Sequence, residues 1–185
     1  MMMRRLLFLG CAALALAVVS LGLPAADARA EEKLGEEKFK PGDKAPEFEK
    51  AFFLDGSPAK LSSLGGTKVL LLNFWGLRCG ACLEEIPYLE ALSKKYAAKG
   101  LVVWGVNTDG ADAPTVRDTL KSLRMEVGYP IVLDPDFSVA DTYTNFLVPL
   151  TLVIDRAGVV RYIHTGFEQG AEKQYEDAVV SALGR

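Results

Sequence analysis

Apolar positions along this chain follow two alternating periods. "KVLLLNFW" (68–75) is a nearly continuous apolar run, the pattern of a strand buried on both faces. From Cys82 onward the period changes. Ile86, Leu89, Leu92 and Tyr96 recur at helical spacing, and Gly100 ends that element. "LVVWGV" (101–106) is a second buried strand. Strand, helix, strand in that order predicts a parallel pair joined by a right-handed crossover. Asp112 then caps a helix with Pro114 near its first turn, and Val116, Leu120 and Leu123 form its apolar face. "YPIVLD" (129–134) is a short strand, followed by a short helical piece over Ser138–Tyr143. "LTLVID" and "VVRYIH" flank Arg156-Ala157-Gly158 and predict an antiparallel hairpin. A last helix over Ala171–Leu183 presents Tyr175, Val179 and Leu183 on one side. Ahead of all these, residues 41–61 mix short apolar pieces with the turn Asp55-Gly56, which predicts a small N-terminal β-hairpin. Together they predict one α/β domain, a mixed central sheet with helices on both faces.

The first thirty residues follow neither period. Arg4 and Arg5 precede an apolar stretch over 6–23, Pro24 ends it, and Ala28-Arg29-Ala30 follows. A positive start, an apolar middle and an A-x-A end mark a secretory signal peptide, cleaved after Ala30. The same stretch, about eighteen residues long, also sits at the lower edge of what spans a bilayer as a retained anchor. Residues 31–39 are charged and aperiodic and read as a flexible lead-in, which leaves 40–185 as the folded domain. That is enough chain for one sizeable core. The net charge of -3 is spread without a basic block, so no nucleic-acid partner is expected. Membrane contact is expected only through the N-terminal segment, if it stays attached.

Cysteine usage narrows the chemistry. Cys11 lies within the N-terminal segment, where Leu9-Gly10-Cys11 faintly resembles a lipoprotein cleavage box. The apolar run continues well past it, so Cys11 reads as apolar filler. The remaining pair, Cys79 and Cys82, lies in "WGLRCGAC" (75–82). Outside the cytosol a dithiol tends to be oxidised. The loop it closes is too small to act as a staple. A structural zinc site needs about four ligands, and the only histidine, His164, is distant in sequence. His164 reads as a strand residue near an edge, with no site role. Redox work is what this spacing supports. Cys79 falls where strand gives way to helix, and the unpaired N–H groups and partial positive charge of a helix start favour a thiolate, the nucleophilic form. Cys79 then attacks a substrate disulfide, and Cys82, one turn on, resolves the mixed disulfide. Glu85 lies one further turn along the same face. It is either a carboxylate that takes and gives the proton of Cys82 or a solvated helix glutamate. Glu84, on another face, reads as solvated.

"NFWGLRCGAC", "LEEIP", the later "VPLTLVID" and the lead-in "KPGDKAPEF" (40–48) resemble the thioredoxin-like proteins of the TlpA/ResA type, within the wider redoxin superfamily. The resemblance runs from residue 40 to the C-terminus. It implies a thioredoxin-like fold with 109–128 as a central insertion. It makes Pro149 the cis-proline that faces the dithiol, where a residue without an N–H has no donor to compete. The backbone of Val148 would then pair with an extended substrate segment. Pro87 matches the family's helix-kinking proline, and Glu85 its acidic residue after the second cysteine. Trp75, Arg78 and Val148 fall at the substrate-binding surface, and Cys79–Cys82 forms the disulfide of the oxidised state. Asn73 stands where thioredoxins keep a buried aspartate. An amide cannot shuttle a proton, so that task falls to Glu85, to water or to nothing. Arg78 stands where thioredoxins have tryptophan, and a cation there favours the thiolate further.

The expected function is that of an exported thiol-disulfide oxidoreductase in the periplasm or at the outer face of the cytoplasmic membrane. By resemblance it reduces disulfides in other exported proteins, such as apocytochrome c or copper-site cysteines, in cytochrome c biogenesis and redox homeostasis. It needs no cofactor, and its electrons come from a membrane donor of the CcdA/DsbD type. A copper(I)-binding module is the alternative, since soft thiolates suit that ion. A peroxiredoxin is the weaker one, because Gly76 occupies the place of its peroxide-binding threonine.

Overall fold

The computed structural model describes residues 38–144 and 146–185. The expectations for the leader or anchor at 1–30, for Cys11 and for 31–37 lie outside these residues. No helix among the described residues is long and apolar enough to cross a membrane. The elements run β1 (Phe52–Phe53), β2 (Val69–Trp75), α1 (Gly80–Tyr96), β3 (Leu101–Asn107), α2 (Ala113–Ser122), β4 (Ile131–Leu133), α3 (Ser138–Tyr143), β5 (Leu150–Ile154), β6 (Val160–Thr165) and α4 (Ala171–Leu183).

They build one six-stranded sheet in the order β1-β4-β3-β2-β5-β6. β2 and β4 run parallel to β3. β5 is antiparallel to both β2 and β6, and β1 is antiparallel to β4. Every residue of the central strand β2 is buried, which is why its sequence shows no alternation. Leu70, Leu72 and Phe74 point into a cluster with Phe48, Trp104, Val139 and Tyr143. Val69 and Leu71 point the other way, against Leu89, Tyr96, Tyr175 and Val179. So α1 and α4 cover one face and α3 the other. α2 joins the α1 face at its edge, where Val116 and Leu120 meet Trp75, Ile86 and Ile131. Each fully buried Leu or Val contributes about 1.5–3 kcal/mol through lost apolar exposure.

Local chemistry fixes the element ends. The Asp112 side chain accepts from Thr115 N at 2.9 Å and caps α2. Asp112→Ala is expected to cost about 1 kcal/mol, read as a lowered urea midpoint. α3 starts without a capping side chain at its own first position. Instead buried Asp134 accepts from Val139 N (3.1 Å) and Ala140 N (2.7 Å).

Three expectations need correction. The N-terminal hairpin is a tight turn rather than two regular strands. Asp55 accepts from Ser57, Phe53 N donates to Ser57 O, and Phe52 bridges Pro58. Pro58 has no N–H with which to extend a ladder, and β1 finds its regular partner in β4. α2 ends at Ser122, because Arg124 adopts a left-handed backbone. Leu123 therefore leaves the buried face and is 44% exposed. Finally, the end of the lead-in is docked rather than free. Phe39 packs on Tyr143 with ring centroids 5.1 Å apart, and Lys38 donates to the carbonyl of Asp141.

Candidate active site

Buried β2 delivers the chain to a four-residue loop, 76–79, at the carboxyl end of the parallel strands. Cys79 is the N-cap of α1, in extended conformation, and its Sγ accepts from Cys82 N at 3.2 Å. The two cysteines are joined as a disulfide. Cys79 is partly exposed, whereas Cys82 is fully buried against Trp75 and Ile86. The Val148–Pro149 peptide bond is cis, and the Val148 carbonyl oxygen lies 3.8 Å from Cys79 Sγ. The outward sulfur thus faces a backbone acceptor on the neighbouring loop.

The loop is held by a residue that sequence reasoning missed. Asp109 Oδ2 accepts from Leu77 N at 2.6 Å and from Asn107 Nδ2 at 2.8 Å. A Cβ at buried Gly76 would stand 3.2 Å from Asp109 Oδ1, so the position has little room for threonine. The available signal was the polar run Asn107-Thr108-Asp109-Gly110 directly after a buried strand, where sheets of this kind place their sites. Asp109→Ala is expected to cost about 1 kcal/mol of stability and to loosen residues 76–79, read as faster amide exchange at Leu77.

Beneath the disulfide lies a buried polar triad. Asn73 on β2 and Thr151 on β5 are register partners. Asn73 Nδ2 donates to Glu85 Oε2 at 2.8 Å and to Thr151 Oγ1 at 3.0 Å. Thr151 Oγ1 donates to Glu85 Oε1 at 2.7 Å. All three side chains are fully buried, and Asn73 Oδ1 has no hydrogen-bond partner. Burial pushes the Glu85 carboxyl above its ordinary value of 4.5, while bonds from Thr151, Tyr175 and Asn73 pull the other way. The folded state therefore holds this proton more tightly than the unfolded chain does. As pH rises past the ordinary carboxyl range the unfolded chain ionises first, so the stability owed to this group falls with rising pH. Urea unfolding of Glu85→Gln against the parent is expected to show a shallower decline above pH 4.5.

Residues 40–179 match the Redoxin family. The chain belongs to that family. The chain is 35% identical to thiol-disulfide oxidoreductase ResA of Bacillus subtilis, over 71% of each protein. It is 34% identical to ResA of Halalkalibacterium halodurans over 61% of this chain, and that match spans 62% of the relative's own length. Its fold superposes with a TM-score of 0.70 on a Chlorobium tepidum protein assigned as the thiol:disulfide interchange protein DsbE, at 30% identity, covering 78% of this chain and 99% of that one. With its mixed sheet and strand–CxxC–helix junction, this Redoxin-family chain is a thioredoxin-like thiol-disulfide oxidoreductase.

The structure gathers Cys79, Cys82, Glu85, Val148 and Pro149 at one end of the sheet. It places Glu85 with the buried polar groups rather than in solvent, and leaves Glu84 exposed. Arg78 projects from the loop, exposed, and no hydrogen bond or ion pair holds it among the described residues. Pro87 stands inside α1. Trp75 needs correction as a substrate-contacting residue. It is 1% exposed, because odd positions of β2 point beneath α1, and its ring packs on Cys82 and Ile86. Its position supports the disulfide from below and offers no surface. Thr151 was also missed. Its signal was the single hydroxyl in the apolar run "LTLVI". Among the described residues no three His, Cys, Asp or Glu side chains gather to hold a metal ion.

Proposed function

We propose that this oxidoreductase works outside the cytosol and reduces disulfides of other exported proteins, apocytochrome c and copper-site cysteines being the substrate types its resemblance implies. The observation that carries this reading is the inequality of the two sulfurs: Cys79 is accessible beside the Val148 carbonyl, and Cys82 is buried on the helical face that carries Glu85. Reduced Cys79, as thiolate, attacks one sulfur of the substrate disulfide. A mixed disulfide forms, and the first substrate sulfur leaves as thiolate and takes up a proton. Cys82 then passes its proton to the Glu85 carboxylate and attacks Cys79 Sγ. The second substrate sulfur leaves and is protonated. One dithiol is oxidised, one disulfide is reduced, and two electrons pass to the substrate. The helix start and the exposed Arg78 both favour the Cys79 thiolate. The extended backbone at Val148 offers a carbonyl for a substrate strand. Renewed turnover needs a membrane electron donor, for which a CcdA/DsbD type fits.

The test is the reduction potential of Cys79–Cys82 together with a copper(I) competition assay. A strongly reducing couple with weak copper binding is the expected result. A copper complex that outcompetes strong chelators would assign the dithiol to metal carriage instead. Export is checked by fractionating cells that express the full chain, with the mature protein expected outside the cytosol.

A further inference from the structure

Just beyond the disulfide, α1 forms one wall of a groove. Glu84, Pro87 and Tyr88 recur at helical spacing on its outer side, and all three are exposed. Across from them runs the loop that joins β6 to α4, where Phe167 and Gln169 stand. These five residues line an open groove of about 400 Å³. The Tyr88 and Phe167 rings lie with their centroids 5.4 Å apart. Phe167 is backed by Tyr175, at 6.3 Å between centroids, while Tyr88 is 39% exposed. The far wall is tied to the reaction centre. Gly166 N, next to Phe167, donates to the Pro149 carbonyl at 2.8 Å, so the groove runs on from the cis-proline beside Cys79.

The polar groups of this groove are unengaged, and acceptors dominate among them. The Glu84 carboxylate and the Gln169 amide take part in no hydrogen bond or ion pair among the described residues. Pro87 has no N–H to offer the carbonyl of Leu83, four residues back along α1. No lining residue is a cation. The cations of the two flanking helices are already paired, Lys94 with Glu90, Lys95 with Glu176 and Lys173 with Asp177. Arg78 stands in the loop ahead of α1 and does not line the groove. A free carboxylate beside two aromatic rings is the surrounding that takes a cation: opposite charge and the ring quadrupoles attract it together. A guanidinium gains further, because its plane stacks on a ring while its N–H groups reach the acceptors.

We propose that this groove is a specificity subsite for a cationic side chain, Arg or Lys, of the substrate polypeptide, carried two to four residues from the disulfide that Cys79 attacks. This inference rests on the reading that Cys79 opens a protein disulfide beside Val148. The spacing follows from the fold. Glu84 lies five residues past Cys79, about 7.5 Å along α1 at about 1.5 Å per residue, and an extended substrate segment covers about 3.3 Å per residue. The glutamate that pattern alone assigned to solvent is thus placed as a substrate contact.

The test is the second-order rate at which the reduced full chain reduces synthetic disulfide peptides at low ionic strength. Each peptide carries Arg at one position, two to four residues from a cysteine, and is matched with a peptide carrying citrulline, a neutral isostere, at that position. At least one position is expected to favour Arg by about fivefold, the joint scale of an exposed ion pair and a cation over a ring. Tyr88→Leu keeps every charge and is expected to lower that ratio by about twofold or more. Glu84→Lys is expected to reverse the preference, so that a peptide with Glu at that position reacts faster than its Arg counterpart. A ratio near one at every position would overturn the subsite, and so would an Arg preference that is equal at all positions and unmoved by Tyr88→Leu, the mark of general charge attraction. Both leave the dithiol chemistry standing. Failure of the parent chain to reduce any of the peptides would instead overturn the reading on which the subsite rests.

Discussion

Cys82→Ser is expected to turn this chain into a covalent trap. Cys79 keeps its helix-start environment and its place beside Val148, so the first attack proceeds. Nothing then expels the substrate, because the buried resolving sulfur is gone. Mixed disulfides through Cys79 should accumulate in the native compartment and be visible by non-reducing electrophoresis and mass spectrometry. Multiple turnover should fall by roughly 10³-fold or more, the scale on which losing a covalent catalytic group is felt. Cys79→Ser should trap nothing, because Cys82 is fully buried. Equal trapping by both variants would remove the division of roles between the two sulfurs.

The second large effect is expected at Glu85, where two substitutions should part company. Glu85→Ala leaves the Asn73 amide and the Thr151 hydroxyl without their acceptors and opens a void between α1 and the sheet. A buried cavity with unpaired donors costs about 3–4 kcal/mol, and the melting temperature should drop accordingly. Glu85→Gln keeps the volume. Its amide can pair with Asn73 Oδ1, which is buried and unpartnered, if the Asn73 amide turns over. It also removes a carboxyl that burial makes costly to ionise. Stability at neutral pH should hold or rise, yet resolution of a pre-formed mixed disulfide should slow by about 10²-fold or more, the usual worth of general acid–base help. Stopped-flow release of the substrate thiol measures this. An undiminished rate in Glu85→Gln would reduce Glu85 to a buried structural group.

Much of the architecture was readable from apolar period alone. β2 and β3 carry continuous apolar runs because both faces are covered. α2 shows its start because Asp112 caps it, and α1 its end because left-handed Gly100 follows shortly after it. What failed depended on contacts that period does not encode. The hairpin over 41–61 dissolved into a turn because the partner of β1 is β4, about eighty residues on in the sequence. Leu123 continued the apolar face of α2 on paper, but a left-handed Arg124 ended the helix first. At the site, the cysteines, Pro149 and Glu85 were legible from spacing and resemblance. Whether Glu85 faced solvent or core was not. That depends on Asn73 and Thr151 sharing a register across two antiparallel strands, and strand register is a tertiary fact. Trp75 shows the same limit in reverse. A tryptophan four residues before a reactive cysteine suggests a docking surface, but strand alternation turns it inward.

Competitive alkylation separates the two sulfurs in a single experiment. The fully reduced chain, given a small deficit of iodoacetamide at pH 7 and mapped by mass spectrometry, should carry label almost entirely on Cys79. Burial shields Cys82, and the start of α1 activates its neighbour. Label divided evenly between the two cysteines, or placed first on Cys82, would contradict the division in which a partly exposed, helix-activated Cys79 leads and a buried Cys82 follows.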